Sequence, residues 1–373
     1  MHVCVLTSVH LPFDIRIFYK ECKTLTLAGY KVVLVAPHDR DEVVDGVRVR
    51  AVPKPRSRRE RMMRTVWQVY RAAILENAQL YHVHDPELIP VGVLLRLHGK
   101  RVVYDMHENV PKAILSKGWI RPWVRPILSG IVKAVERVLL NGMPVIYAEK
   151  SYAKDYPWVK PAVTVQNMPL LSSIFAIEES KYPIPTVGYL GGVTPERGSL
   201  VYLEALRILK ERGHTVGWEC IGPVSEEHRA ELIHLCSRYG LEHVYLRGYM
   251  LPDQGWRHVA RCKIGLAVLK AIPNYIGSYP TKMFEYMALG LPVIVSDFPL
   301  YRDIVEKEQC GICVDPESPV AVADAIQRIL THPDMARVMG ERGREAVRER
   351  YNWDAEAKKL LDFYDRLLVS NES

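Results

Sequence analysis

No apolar run in these 373 residues is long enough to cross a bilayer as a helix, which removes a helical membrane-spanning protein from consideration. Nothing at the amino-terminal end resembles a signal peptide. The run MHVCVLTSV leads straight into the first expected strand, so the cytosol is the expected location. Cysteine is sparse and odd in number. The seven (Cys4, Cys22, Cys220, Cys236, Cys262, Cys310 and Cys313) are scattered, several inside apolar strands, which fits buried free thiols best. Cys310 and Cys313 have Cys-x-x-Cys spacing, but a zinc site needs a second pair and none is near; the strand GICVDP accounts for both. A Gly-x-Gly-x-x-Gly turn is missing after the first strand, where Thr7-Ser8-Val9-His10-Leu11-Pro12 stands instead, and this argues against a nicotinamide dehydrogenase. Repeats of solenoid period and low-complexity tracts are absent as well.

What is present has the composition of a globular protein, 48% apolar and 25% charged, in a chain long enough for about two domains with a core each. The net charge of +7 invites an anionic partner, whether nucleotide, lipid headgroup or nucleic acid, and charge alone does not choose among them. Short β-rich runs alternate with helical ones throughout, which predicts an α/β protein with parallel sheets. Strands are expected at Val3–Leu6, Lys31–Ala36, Val47–Val52, Leu80–His84, Arg101–Met106, Pro144–Ala148 and Ala162–Val165. After the proline-rich segment Met168 to Pro185 the pattern restarts, with strands near 186–190, 216–221, 244–247, 264–269, 292–296 and 311–314. The reading is two doubly wound, Rossmann-like domains facing across a cleft, with ligands outside the carboxyl ends of the strands. Their expected limits are 1–168, a linker at 169–185, then 186–352, with 353–373 as a closing segment.

The most informative stretch is NYIGSYPTKMFEYMALGLPVIVSDFP, Asn274 to Pro299. It predicts a short helix with Pro280 at its start and Gly290 past its end. The first-turn amides, those of Thr281 and Lys282 among them, have no intrahelical acceptor and suit an anion. A lysine there opposes the helix dipole, which makes sense if a phosphate sits between it and the amides. Glu285 follows one turn on, about 6 Å along the axis, where its carboxylate would meet vicinal ribose hydroxyls. One reading is therefore a nucleoside diphosphate site; the other is a surface helix in which Lys282 and Glu285 form a weak pair. Upstream, Gly188-Tyr189-Leu190-Gly191-Gly192 leads to Arg197-Gly198 and a further helix. Glycines admit a ligand to the backbone, and Arg197 has the forked geometry for a diphosphate.

Other features carry two readings each. Asp14-Ile15-Arg16 either reaches a substrate or opens a helix through an Asp cap. His82-Val83-His84-Asp85 has the look of metal ligands, but strand alternation explains the two histidines, and Asp85-Pro86-Glu87 reads as a helix start; His84, at a strand end, stays open. Asp39-Arg40-Asp41 sits in a polar loop and reads as turn chemistry. His107 closes a strand at its carboxyl end, placed to donate a hydrogen bond to a hydroxyl or a developing charge, or simply to pack. The segment Lys54 to Arg64 holds Lys54, Arg56, Arg58, Arg59, Arg61 and Arg64 against Glu60, and aromatic Trp67 and Tyr70 follow. With Trp119 to Leu128, this suits an anionic membrane surface or a solvated basic face.

Taken together, the glycine turn with Arg197-Gly198, the strand-end histidine and the Glu-Tyr-Met-Ala-x-Gly-x-Pro-Val-Ile block resemble glycosyltransferase family 4 over nearly the whole chain. The resemblance implies a GT-B fold whose last helix, from Trp353-Asp354, crosses back to the first domain. It implies a retaining, metal-independent hexosyltransferase with no cofactor beyond its nucleotide diphosphate sugar. By position it assigns Glu285 to the ribose, the amides of Thr281 and Lys282 to the diphosphate, and His107 to the donor sugar. Arg197 stands where the family usually has lysine. Catalysis is then expected of His107, Arg197 and Lys282, and donor binding of Gly191, Gly192, Arg197, Tyr249, Thr281, Lys282 and Glu285, with Tyr249 near the base. His10, Asp14, Arg16 and His84 are expected on the acceptor side, facing a glycan or lipid-linked acceptor and no nucleic acid. Gly277 replaces the first acid of the family's Glu-x7-Glu, Gly192 replaces a second basic residue, and the glycine-rich loop after the first strand is absent, so the diphosphate should lean on Arg197 and Lys282. The Pro280-Thr281-Lys282 form with His84-Asp85-Pro86-Glu87 resembles a bacterial branch associated with surface polysaccharides, acting in the cytoplasm or at the inner face of the cell membrane. Two rival readings are a nonhydrolysing nucleotide-sugar epimerase of the same fold and a noncatalytic membrane-surface protein.

Overall fold

The computed structural model describes residues 1–369; residues 370–373, at the end of the expected segment 353–373, lie outside the described residues. The chain divides into two compact units, Met1–Asn167 with the returning helix Trp353–Val369, and Met168–Asn352.

In the first unit the strands are β1 His2–Leu6, β2 Lys31–Pro37, β3 Glu42–Val44, β4 Val47–Val52, β5 Leu80–Val83, β6 Arg101–Met106, β7 Val145–Tyr147 and β8 Ala162–Thr164. They form one sheet in the order β3-β4-β2-β1-β5-β6-β7-β8, parallel except for the β3–β4 pair. The central runs are apolar on both faces, as Val3, Cys4, Val5 and Leu6 are all fully buried, because helices cover the sheet on either side. Chain order moves outward from β1 in both directions, so the sheet is doubly wound and its switch point lies between β1 and β5. Strand β3 escaped the sequence reading. It is a three-residue edge strand joined to β4 by Asp45-Gly46, both at positive φ, the dipeptide that a tight hairpin turn favours. At the other end of this ribbon Asp41 accepts the Ala51 amide at 2.7 Å.

The second unit carries β9 Thr186–Leu190, β10 Gly217–Ile221, β11 Val244–Gly248, β12 Ile264–Ala267, β13 Val293–Ser296 and β14 Gly311–Val314, all parallel, in the order β11-β10-β9-β12-β13-β14. The segment 169–185, expected as a linker, contains a short helix, Leu171–Phe175, and Ile174 is buried in the core around Met283, Phe284 and Tyr286. It therefore belongs to this unit's packing.

The last helix, Trp353–Val369, is held to the first unit by side chains spread along it. Trp353 Nε1 donates to Thr24 Oγ1 at 2.9 Å, Glu356 accepts the Gln166 amide at 2.9 Å, and the Tyr364 hydroxyl meets His82 Nδ1 at 2.7 Å. These bonds join positions hundreds of residues apart, which no local periodicity encodes.

Gly265 in β12 has the ring of Tyr286 against it: a Cβ there would lie 2.3 Å from the ring. Tyr286 in turn accepts the Leu190 amide on its hydroxyl at 2.8 Å, tying the end of β9 to the helix Thr281–Ala288. Gly265→Ala should destabilise the protein by about 1–3 kcal/mol through overpacking, read as a lowered midpoint in chemical denaturation. An unchanged midpoint would show that the ring can move aside.

Candidate functional site

Each unit brings a group of polar residues together. In the second unit the group begins where β9 ends. Gly191 takes φ 130°, and its amide donates to the Ile221 carbonyl at 2.8 Å, so the loop folds back on the end of β10. A Cβ on the neighbouring Gly222 would lie 1.9 Å from the Gly191 oxygen, and this approach is open only to glycine. The Tyr189 hydroxyl donates to the Gly192 carbonyl at 2.7 Å and fixes the next step. The chain then makes a single helical turn, Pro195–Arg197, ended by Gly198 in the left-handed region.

This path sets Arg197 and Lys282 against one glycine. A Cβ at Gly191 would lie 2.9 Å from Lys282 Nζ and 3.4 Å from Arg197 Nη1. Arg197 Nε donates to the Tyr275 hydroxyl at 3.2 Å, and the Tyr275 carbonyl accepts from Tyr301 at 2.7 Å, so the guanidinium is aimed by a braced aromatic. Lys282 is 8% exposed; its Nζ sits 3.9 Å from the centre of the Tyr189 ring and has no hydrogen-bond partner among the described residues. Burial, followed by repulsion from Arg197, pushes its pKa down to about 7. A buried ammonium beside a second cation is costly unless an anion joins them.

The helix Thr281–Ala288 supplies more positive potential. Pro280 caps it without a side-chain bond, leaving the Thr281 and Lys282 amides at a bare N-terminus, with Thr281 exposed and Glu285 half-buried one turn further on. Gly191, Gly192, Arg197, Thr281, Lys282 and Glu285 are thus drawn to one loop and one helix start. Tyr249 is not: it is 73% exposed beyond β11. Tyr275 was missing from the sequence reading. No motif marks it, because its part is played through Arg197.

In the first unit, Asp14 resolves as a cap, accepting the amides of Arg16 and Ile17 at 2.8 and 3.0 Å. It opens a π-helical turn, Ile15–Cys22, whose wider spacing turns both Arg16 and Glu21 inward. Arg16, expected on the acceptor side, is instead interior. Its Nη2 grips Asp105 at 2.8 and 3.1 Å, and its Nε lies 3.0 Å from Glu21. His84 is likewise buried, with Nδ1 2.9 Å from His107 Nε2. His84 stayed open on its strand-end position and Arg16 was one of two readings; the ion pair between the turn Ile15–Cys22 and β6 draws Arg16 inward, and His84 is buried beside it. Asp85 is structural in an unexpected way. It sits at φ 65° without capping the following turn; its carboxylate takes the Thr7 hydroxyl at 2.7 Å and the Ser8 amide at 2.8 Å and pairs with His10 at 2.8 Å. His10 and His107 keep partial exposure, with 5.2 Å between ring centres. Burial, only partly offset by Asp105, pushes the His107 pKa down to about 4, so its ring is neutral at pH 7. Glu21 and Asp105 escaped the sequence reading. The one available signal was a carboxylate inside the apolar strand RVVYDM, since a buried charge demands a partner.

The family model described as glycosyl transferases group 1 matches residues 173–346, and that of a glycosyl transferase 4-like domain matches residues 16–145. The phosphatidyl-myo-inositol mannosyltransferase of Mycobacterium leprae is 26% identical over 313 residues, 81% of this chain and 77% of that protein. A GDP-mannose-dependent alpha-(1-6)-phosphatidylinositol monomannoside mannosyltransferase of Mycobacterium tuberculosis is 30% identical over 188 residues, 48% of this chain and 47% of that protein, so the match spans about half of that relative. Among solved structures, sucrose-phosphate synthase from Thermosynechococcus elongatus has a TM-score of 0.75 at 19% identity, covering 99% of this chain and 100% of that one. Anabaena HepE in complex with UDP-glucose has a TM-score of 0.73 at 15% identity, covering 98% and 100%. At such identities the structural likeness establishes the fold.

Lys282 gives a test independent of any substrate. Its folded pKa of about 7 lies below the ordinary 10.5, so between those values the unfolded chain binds more protons and stability rises with pH, by up to about 1.4 kcal/mol per pH unit. Lys282→Met should flatten that rise and raise the ligand-free melting temperature at pH 6 by calorimetry, while weakening binding of a nucleoside diphosphate. A variant that melts lower and keeps the slope would contradict the unpaired ammonium.

Proposed function

Given that this chain belongs to glycosyltransferase family 4 and is a glycosyltransferase of GT-B fold, we propose that it moves a hexosyl group from a nucleoside diphosphate sugar to an acceptor hydroxyl with retention at the anomeric carbon. The observation that carries this reading is the pair of cations, Arg197 and Lys282, set against Gly191, with Lys282 Nζ lacking a hydrogen-bond partner among the described residues. A diphosphate is the anion that fits. It would accept from the Thr281 and Lys282 amides, from Lys282 Nζ and from the Arg197 fork, leaving Glu285 for the ribose hydroxyls.

In retaining transfer the bond to the leaving diphosphate loosens first, so the chemistry asked of the protein is stabilisation of the departing charge. Two cations and a helix N-terminus supply that without a metal ion. Gly192 removes the family's usual second basic residue, and Lys282, reaching the loop from the facing helix, takes over its charge. His107, neutral at working pH, is the hydrogen-bonding partner for the donor sugar. The acceptor we favour is lipid-linked, in bacterial cell-surface glycan synthesis, with the enzyme at the cytoplasmic face of the membrane.

A surface feature supports the membrane part. Helix Val124–Leu139 leaves Ile127, Ile131, Val135 and Val138 exposed along one stripe, continued by Trp123 and Trp119 at its start. The charged residues exposed along it, Lys133 and Arg137, are basic; Glu136 is buried against the Tyr156 hydroxyl. An apolar stripe flanked by cations and led by tryptophans suits the headgroup level of an anionic bilayer. The second basic segment contributes less than its composition suggests, because Lys54 pairs with Asp39 and Arg61 with Glu87.

Arg197→Ala and Lys282→Ala should each lower turnover of a nucleotide sugar by about 100- to 1,000-fold, while a chelator leaves the wild-type rate unchanged. Near wild-type rates in both variants would remove the assignment. Wild-type protein should float with vesicles containing phosphatidylglycerol, and Ile127→Glu with Ile131→Glu should abolish flotation at unchanged melting temperature; flotation that survives both charges would exclude this helix as the docking face.

A further inference from the structure

His107 is the outermost member of a chain of ionisable side chains that runs into the first unit. Arg16, Glu21, His82, His84 and Asp105 are all at most 5% exposed. Alternation along β5 puts His82 and His84 on one face, and the register of β6 against β5 brings Asp105 beside them. Arg16 and Asp105 close as an ion pair through Nη2, which reaches both carboxylate oxygens, one positive and one negative charge. That leaves Glu21, whose ionisation would add an unbalanced negative charge in a sealed interior. Burial, reinforced by Asp105, pushes the Glu21 carboxyl well above the ordinary carboxylate range. The sealed interior thus favours the protonated form of Glu21. Facing it are Asp14 and Arg16 from its own end of the chain, His82 and His84 from β5, Asp105 from β6 and Tyr364 from the last helix.

The geometry then has a direction. Glu21 Oε2 lies 3.5 Å from His84 Nε2, a nitrogen with no hydrogen-bond partner among the described residues, and His84 Nδ1 lies 2.9 Å from His107 Nε2. A neutral imidazole carries one proton, and the bond made by one ring nitrogen decides where it sits. With the Glu21 hydroxyl turned to His84 Nε2, His84 donates from Nδ1 to His107 Nε2, and the remaining proton of His107 is at Nδ1. We infer that Glu21 and His84 are positioning residues that hold His107 in its Nδ1–H tautomer, so that the half-open ring offers the donor sugar a hydrogen-bond donor. The catalytic purpose rests on the assignment of His107 made above; the tautomer does not. Asp105 Oδ1, 3.4 Å from His107 Nε2, favours the opposite tautomer, which takes over once Glu21 ionises. Four such residues also have the makings of a metal site, but Arg16 already holds the cation position between the two carboxylates.

The test is nitrogen-15 NMR of the histidine rings in the whole protein, with kinetics beside it. At pH 7 the His107 ring should show the Nδ1–H pattern. His84→Leu should move it to Nε2–H and lower kcat by about 10- to 100-fold with donor KM within about two-fold. His84→Asn, whose side-chain amide reaches the place of Nδ1–H, should restore the pattern and most of kcat, and covers the case in which the leucine variant fails to fold. Glu21→Gln still donates to His84 but cannot ionise, so it should remove the alkaline fall in kcat expected of the wild type. An Nε2–H ring in the wild type, a ring indifferent to His84→Leu, or a stoichiometric bound transition metal by elemental analysis would each overturn the inference. Full turnover in His107→Ala would overturn the donor-sugar assignment and the network's catalytic purpose with it, while leaving the tautomer result standing.

Discussion

The second unit is organised around a charge it cannot satisfy by itself. Lys282 Nζ is buried against the face of Tyr189 and beside a guanidinium, with no hydrogen-bond partner among the described residues. Everything nearby serves to keep it there. Gly191 and Gly222 let two loop backbones touch, Tyr286 ties the helix to the end of β9, and Tyr275 turns Arg197 toward the same spot. An arrangement that is costly in the empty protein favours the protein with an anion bound, and in the proposed transfer the same field would steady a leaving diphosphate.

The first unit solves the opposite problem. Glu21, Asp105, His82 and His84 are brought into one sealed region against a single arginine, and burial there favours the protonated form of Glu21. Buried charges of this kind do little for net stability, since desolvation consumes most of what pairing returns. They do fix geometry. The π-helical turn Ile15–Cys22, β5, β6 and the last helix all contribute a side chain, so the orientation of His107 is set by parts of the chain that are far apart in sequence.

The two regions differ in how far they could be foreseen. The loop from Gly188 to Gly198 and the helix after Pro280 are local motifs: a strand end, glycines, a cationic residue, a helix start. Each is legible because its chemistry lies within about ten residues. In the first unit the same approach misplaced Arg16 and His84 and passed over Glu21. Strand-end position is a one-dimensional rule, and it does not know whether a second element lies on top. Asp85 shows this most clearly, for its sequence is that of a helix cap and its carboxylate instead holds the loop Thr7 to Val9.

The sequence alone determined the doubly wound α/β architecture, the restart of the pattern after Pro185 and the two cations of the second unit, because periodicity, glycine turns and helix starts are properties of neighbouring residues. The missed hairpin at Asp45-Gly46 was legible by the same rules. Only the tertiary structure decided that Arg16 faces inward, that Glu21, His84 and His107 form one line, and that helix Val124–Leu139 keeps its apolar stripe in solvent. Which face of an element is covered depends on what the rest of the chain brings to it, and burial, which sets the charge of every group in these clusters, follows from that covering.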